Sequence, residues 1–346
     1  MTTSQQSTNM PVKIKSYNTF LLWVLFSAML LIGSCSAQEV DEISLKTIWY
    51  GSSYCAFVDL IQYESKYYCA FREAPTHFPI SYEQNGKIRV LSSEDGIEWK
   101  TETLIEDKVS DLRDPKMYIN KENELNIIYG NHVLGKTLSY KTGISTYKIE
   151  DQGLVLIEKD LINILDTSSK TSYSNYWLWR VVQKDNIFYG IAYKDNNPIF
   201  VKSENGKDFT IVSYLNIKGN ESAISFLRNT AYVFIRSNGL NGFLGSSEYP
   251  YKEWEWKELN YHLESPVSIQ IGKSLYVCGR SGGGTTLFFF DIVNYRLEPL
   301  SRLSTEGDSG YPGMIYTNNE LWIAYYSSSE GGNSRIHLMR MLSFNE

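Results

Sequence analysis

Residues 274–280 read Ser274-Leu275-Tyr276-Val277-Cys278-Gly279-Arg280, a short strand that starts polar, turns apolar and aromatic, and closes on an arginine. The pattern recurs at 66–72, 124–130, 186–193, 230–236 and 320–326, with starts 44 to 62 residues apart. That spacing is the length of a four-stranded propeller blade. Each copy follows a turn, as at Arg228-Asn229, Gly272-Lys273 or Asn318-Asn319. A second apolar strand lies upstream of the turn, at 57–63, 221–227, 266–271 and 311–317, so each unit opens with a hairpin. The expected fold is all-β, a six-bladed β-propeller whose first strands line a central channel. Residues 43–50 supply the outer strand of the last blade, beside 335–342, and so close the ring.

A second repeat is Ser93-Glu94-Asp95-Gly96-Ile97-Glu98-Trp99, echoed by Ser203-Glu204-Asn205-Gly206-Lys207-Asp208-Phe209 and more loosely by 247–254. These look like Asp boxes. The Asp or Asn caps a tight turn, Gly takes the positive φ, and the aromatic ring packs between blades. The role is structural.

Composition agrees with one large β domain. The chain has 346 residues, 42% of them hydrophobic and 14% aromatic, with 26 Tyr and 8 Trp, which excludes disorder and a coiled coil. Lys+Arg 33 against Asp+Glu 39 gives a net charge of -6, so no basic field attracts nucleic acid.

At the N-terminus, Lys13 and Lys15 precede an apolar run over 20–32, too short to span a bilayer. The run ends in Ile32-Gly33-Ser34-Cys35, which resembles the lipobox of bacterial lipoproteins. The expected organisation is a signal peptide over 1–34, a lipidated Cys35 with a short tether over 35–45, and the propeller over 46–346. The expected location is secreted and lipid-anchored, in a bacterial periplasm or on the outer-membrane surface. Cys55, Cys69 and Cys278 remain, an odd number, and a hairpin turn at 64–66 sets Cys69 opposite about Ile61 or Gln62, so no disulfide is expected. His77, His132, His262 and His337 are scattered, so neither a metal site nor a cofactor is expected. A monomer is expected.

In a propeller, the start of strand one and the end of strand two share a rim. Pairing the hairpins about their turns, to within one residue, sets Asp59 opposite Arg72, Glu221 opposite Arg236, Ser265 opposite Arg280 and Tyr311 opposite Tyr326. Blades two and three add Arg113 and Asp114 from Leu112-Arg113-Asp114-Pro115, and the cluster Trp177-Leu178-Trp179-Arg180. Arg72, Arg236 and Arg280 share one register, and three guanidiniums converging on one anion suit a carboxylate. The bland alternative pairs Arg72 with Asp59 or Glu73, and Arg236 with Glu221.

These features resemble the sialidase superfamily. The Asp boxes carry part of the likeness. The rest is Asn220-Glu221-Ser222, then Arg236, Arg280 and Gly310-Tyr311, in that superfamily's order of Glu, Arg, Arg and Tyr. A fuller resemblance is to bacterial sialidase-like proteins, over Phe71-Arg72-Glu73-Ala74, Asp111-Leu112-Arg113-Asp114-Pro115-Lys116, the Trp177–Arg180 cluster, Asp308 within 307–313, and Tyr325-Tyr326. The resemblance implies Tyr311 as nucleophile, Glu221 as its base, and Arg236 and Arg280 as carboxylate holders. A neutral phenol approaches an anionic anomeric centre without charge repulsion. Blade one departs from the superfamily's Arg-Ile-Pro and reads Ala56-Phe57-Val58-Asp59, which leaves Arg72 as the replacement arginine. Asp59, Glu73 and His77 compete for the acid/base role. Arg113, Asp114, Trp179, Arg180, Asp308 and Tyr326 complete the candidate substrate-binding set.

The expected function is that of a glycoside hydrolase resembling exo-sialidases, acting on an acidic or otherwise substituted terminal sugar of a glycan. The alternatives are a non-catalytic glycan-binding lipoprotein and an inverting glycosidase using Asp59, Asp114 and Glu221.

Overall fold

A computed structural model describes residues 42–51, 54–133, 141–239, 241–328 and 333–342. Cys35 and the segment read as a signal peptide lie outside them. Strand β1 (Glu42–Tyr50) comes first, so paired backbone already begins inside the segment expected to be a tether. Blade one holds β2 (Tyr54–Tyr63), β3 (Lys66–Ala74), β4 (Lys87–Ser93) and β5 (Lys100–Ile105); blade two holds β6 (Ser110–Ile119), β7 (Leu125–Val133), β8 (Thr142–Glu150) and β9 (Gly153–Leu161). Two short strands, β10 (Ile164–Asp166) and β11 (Thr171–Tyr173), precede blade three, formed by β12 (Trp177–Lys184), β13 (Ile187–Lys194), β14 (Asn197–Ser203) and β15 (Phe209–Tyr214). They extend its outer edge, β10 lying parallel to β15. Blade four is β16 (Ser222–Leu227), β17 (Thr230–Ile235), β18 (Phe243–Glu248) and β19 (Glu255–Glu258). Blade five is β20 (Glu264–Ile271), β21 (Ser274–Ser281), β22 (Gly284–Asp291) and β23 (Arg296–Arg302). Blade six is β24 (Ser309–Thr317), β25 (Glu320–Ser328) and β26 (Ser334–Leu342), and β1 completes it from the opposite end of the sequence.

The repeated strand of the sequence is the second strand of each blade. It is sandwiched between sheets on both faces, so β3, β7, β13, β17, β21 and β25 carry nearly unbroken buried runs instead of alternation. The apolar clusters lie between neighbouring blades. Phe71 and Leu91 of blade one meet Trp322 and Leu338 of blade six, and Tyr118 and Ile128 of blade two meet Phe188 and Val201 of blade three. Each such buried aliphatic or aromatic side chain contributes about 1.5–3 kcal/mol.

The turn at 93–99 and its echo at 203–209 share one hydrogen-bond scheme. Ser93 Oγ accepts from Gly96 N at 2.9 Å, and Asp95 Oδ1 accepts from Ile97 N and Glu98 N at 2.7 and 2.9 Å. Ser203 Oγ accepts from Gly206 N at 2.9 Å, and Asn205 Oδ1 accepts from Lys207 N and Asp208 N, both at 2.9 Å. Gly96 (φ 70) faces the Trp322 ring so closely that a Cβ there would collide with it. The loose third copy differs: Ser247 Oγ donates to Glu253 O instead.

Register is where the sequence expectation and the structure part. In β2, β6, β20 and β24 two residues oppose one, at Phe57-Val58, Asp114-Pro115, Ser265-Pro266 and Tyr311-Pro312. These are β-bulges, and the first residue of each is left-handed, with φ of 64°, 50°, 47° and 48°. In three of them proline follows, a residue with no N–H to leave unpaired. Arg72 consequently opposes Ala56, and Asp59 opposes Ala70, so the two never face each other. Arg280 opposes Glu264 and Tyr326 opposes Gly310, each one residue from expectation. Strand β16 has no such bulge, and Glu221 does oppose Arg236, whose N–H donates to Glu221 O at 2.8 Å. Cys69 pairs with Leu60, and Cys55, Cys69 and Cys278 are buried free thiols.

Candidate active site

Two of the bulge residues, Asp114 and Tyr311, line one cavity of 510 Å³. Its lining includes Tyr311, Glu221, Arg236 and Arg280 on one side, Arg113, Asp114, Trp177, Trp179 and Tyr193 on the other, and His77 and Phe78 at the rim. Tyr311 is presented by the β24 bulge. Its hydroxyl donates to Glu221 Oε1 at 2.7 Å. Glu221 is held by two more donors, Arg236 Nη1 to Oε1 and Ser265 N to Oε2, both at 2.8 Å. Ser265, the bulge residue of blade five, also accepts from Tyr311 N at 3.0 Å through its Oγ. Bulge is thus tied to bulge, and the phenol–carboxylate pair is held from both strands. Burial, and then the charges of Glu221 and Asp114, push the Tyr311 phenol well above its ordinary range. It stays a neutral phenol at neutral pH, with the proton acceptor already in place.

Asp114 is the bulge residue of blade two. It is 5% exposed, and its Oδ1 has no hydrogen-bond partner. Burial raises its pKa to about 6, against the pull of Arg113 and Lys116. A carboxyl that holds its proton near neutrality in a cleft suits general-acid work. It meets that description better than the three residues expected to compete for the role. Asp59 is fully buried and absent from the cavity lining, with Oδ1 on Arg180 Nη1 and Oδ2 on Met117 N, both at 2.7 Å, so it stitches blades one, two and three together. Glu73 pairs with Arg89 Nε at 2.7 Å and is not in the cavity lining. His77 lines the rim, but burial and Arg113 lower its pKa to about 4, and its ring stacks between Tyr54 and Phe78. It is a neutral ring there, with Nδ1 on the Tyr54 hydroxyl at 3.0 Å.

The three expected arginines do not converge. Arg72 is fully buried; Nε and Nη2 donate to Asp111 Oδ1 at 3.1 and 2.7 Å, and Nη1 to Thr76 O at 2.9 Å. It pins the rim loop carrying His77 and is absent from the lining. Arg113 takes the lining position instead, its guanidinium over the rings of Phe57 and Phe78 at 5.1 and 5.2 Å. Asp308 and Tyr326 serve Arg280: Nη2 contacts Asp308 Oδ1 at 2.5 Å and the Tyr326 hydroxyl at 2.9 Å. Arg180 likewise pairs with Asp59 through Nη1, leaves its buried Nε without a partner, and is absent from the lining. Lys116, also outside the lining, is 2% exposed, with Nζ on Pro115 O at 2.9 Å and a pKa lowered by burial to about 8.

On the aromatic side, Trp177, Trp179 and Tyr193 form one cluster that packs against Tyr311. Trp179 is 2% exposed and its Nε1 has no hydrogen-bond partner. Sequence reasoning missed Glu264, which bridges Arg236 and Arg280, and Asp111, which holds Arg72. Pro266 was the available signal for the first, since proline inside an inner strand marks a bulge that shifts the register. Among the described residues, no group of three His, Cys, Asp or Glu is arranged to hold a metal ion.

No family model and no curated protein sequence matches this chain. Solved structures do. A protein of unknown function from Dyadobacter fermentans superposes with a TM-score of 0.74 at 13% identity, over 87% of this chain and 99% of that one. Trypanosoma rangeli sialidase in complex with sialic acid gives 0.63 at 12% identity, over 84% of this chain. This chain spans only 54% of that sialidase. The NanB sialidase of Streptococcus pneumoniae gives 0.63 at 8% identity, over 86% of this chain and 70% of that one. The shared feature is the fold: this chain is a six-bladed β-propeller that superposes on these structures at low sequence identity.

Proposed function

We propose that this protein is a glycoside hydrolase that releases a terminal sugar from a glycan through a covalent bond to Tyr311. The observation that carries the reading is the 2.7 Å hydrogen bond from the Tyr311 hydroxyl to Glu221 at a cavity sized for a sugar ring. The Tyr311 oxygen attacks the anomeric carbon as Glu221 takes its proton, and Asp114 protonates the departing glycosidic oxygen. Water then cleaves the tyrosyl–sugar bond, with Asp114 now accepting the proton and Glu221 returning its own to the phenol. Arg113, Arg236 and Arg280 offer N–H donors to the ring substituents, and Trp177 and Trp179 offer apolar faces.

The carboxylate-pair alternative loses one of its members, because both oxygens of Asp59 are committed outside the cavity lining. In the same reading the turns at 93–99 and 203–209 are Asp boxes that lock blades together, and Cys35 carries a lipid anchor after signal cleavage. Among the described residues no helix is long and apolar enough to cross a membrane. The test is a screen of the purified protein against aryl glycosides and oligosaccharides with product analysis. The reading requires turnover that Tyr311→Phe abolishes. Glycan binding without turnover on any of them leaves the non-catalytic lectin reading in its place.

A further inference from the structure

We infer that Glu264 makes this cavity select uncharged sugars over sugars bearing a carboxylate. The inference rests on the cavity being a sugar site. Arg236 and Arg280 are the two guanidiniums that would hold a carboxylate, and an internal carboxylate already holds them both. Glu264 Oε1 lies 2.8 Å from Arg236 Nη2, and Oε2 lies 3.4 Å from Arg280 Nη1. Glu264 is not itself a lining residue; it acts on the cavity through these two guanidiniums, with one carboxylate oxygen on each. The Glu264 side chain is 16% exposed, so solvent screens it little. His262 Nε2 lies 3.9 Å from Oε1.

The remaining donors of the pair are largely spent as well. Arg280 gives Nε to Ser309 O at 2.5 Å and Nη2 to Asp308 and Tyr326. Arg236 gives Nη1 to Glu221, and its buried Nε has no partner. Three carboxylates, Glu221, Glu264 and Asp308, therefore surround two guanidiniums. A further carboxylate entering here meets a cluster whose positive charge is already compensated, while a sugar hydroxyl needs only the leftover N–H donors. Across the cavity, Arg113 is itself flanked by Asp111 at 3.6 Å and Asp114 at 3.9 Å.

The test compares the wild type with Glu264→Gln and Glu264→Ala, each checked for an unchanged fold by thermal melting. Calorimetry with the carboxylated glycal DANA reads the anion directly, without requiring turnover. The expected result is no measurable binding to wild type and at least a tenfold gain in affinity in the variants. Glu264→Gln preserves the shape of the site should Glu264→Ala fail to fold. Wild-type binding of DANA as tight as that of the variants overturns the inference, and so does an absence of binding in all three folded proteins. In parallel, wild-type turnover of neutral 4-methylumbelliferyl glycosides should exceed that of 4-methylumbelliferyl N-acetylneuraminide. Failure of every glycoside to turn over removes the hydrolase reading and leaves the DANA comparison standing on its own.

Discussion

The two sides of the cavity are built on opposite plans. On the blade four-to-six side, Glu221, Arg236, Glu264, Arg280 and Tyr311 are joined by polar contacts, and among these five side chains only Arg236 Nε is buried without a partner. On the blade two-and-three side, Asp114 Oδ1 and Trp179 Nε1 are buried without partners, and an aromatic cluster replaces the ion pairs. A satisfied network is rigid and fixes geometry before anything binds. Buried polar atoms left open are costly unless something arrives to meet them. In the proposed reading, the first side is preorganised to act and the second is completed by a ligand.

The strongest way to break the contrast is to cut the satisfied side at its centre. Tyr311→Phe and Glu221→Gln should each lower kcat by at least about 10⁴-fold, and the double variant should lose little more, because phenol and carboxylate act as a unit. Steady-state kinetics of the three variants check this, and additive losses would mean the pair is not coupled. Next in size is the ion pair between Asp59 and Arg180. Arg180→Met strands the buried Asp59 charge and should cost about 3–5 kcal/mol in urea unfolding. A loss below 1 kcal/mol would show that the pair carries no such weight.

A smaller effect sharpens the role of Asp114. With a pKa of about 6, it is protonated below that pH, so turnover should fall as pH rises through about 6. Asp114→Asn should lower turnover about 100-fold and remove that limb of the pH profile. Stability follows the same sign. The folded carboxyl keeps its proton to a higher pH than the unfolded one, so its contribution declines as pH rises from the ordinary carboxyl range to about 6, and Asp114→Asn should abolish that slope. The smallest effect tests the open aromatic side: Trp179→Phe keeps the ring and deletes the N–H, and should raise KM a few-fold with kcat unchanged. A change confined to kcat would reassign Trp179 to the chemistry.

The same division explains how far the sequence could be read. Blade number, the repeated second strand and the closure by β1 followed from patterning, because strands buried on both faces must be apolar along their whole length. Glu221 and Arg236 were legible as partners because β16 runs without a bulge. Asp59 and Arg72 were not, since Phe57-Val58 adds a residue to β2 and sends Asp59 down to Arg180 and Arg72 across to Asp111. Asp114-Pro115, Ser265-Pro266 and Tyr311-Pro312 display the bulge in their prolines, a signal that strand periodicity overlooks. The raised pKa of Asp114 depends first on its burial, which no local pattern encodes.

The pairing of β1 with β26 sets a timetable for the protein's synthesis. Glu42 is among the first residues of the propeller to emerge and Leu342 among the last, and they are partners. Five blades can form from contiguous chain as it is made, but the sixth, which bears Tyr311, waits for both ends. The strand that carries Tyr311 is therefore seated in a closed ring only after translation of the domain is complete, so a product truncated before β26 contains Asp114, Glu221 and Tyr311 but leaves blade six without the strand that joins β25 to β1.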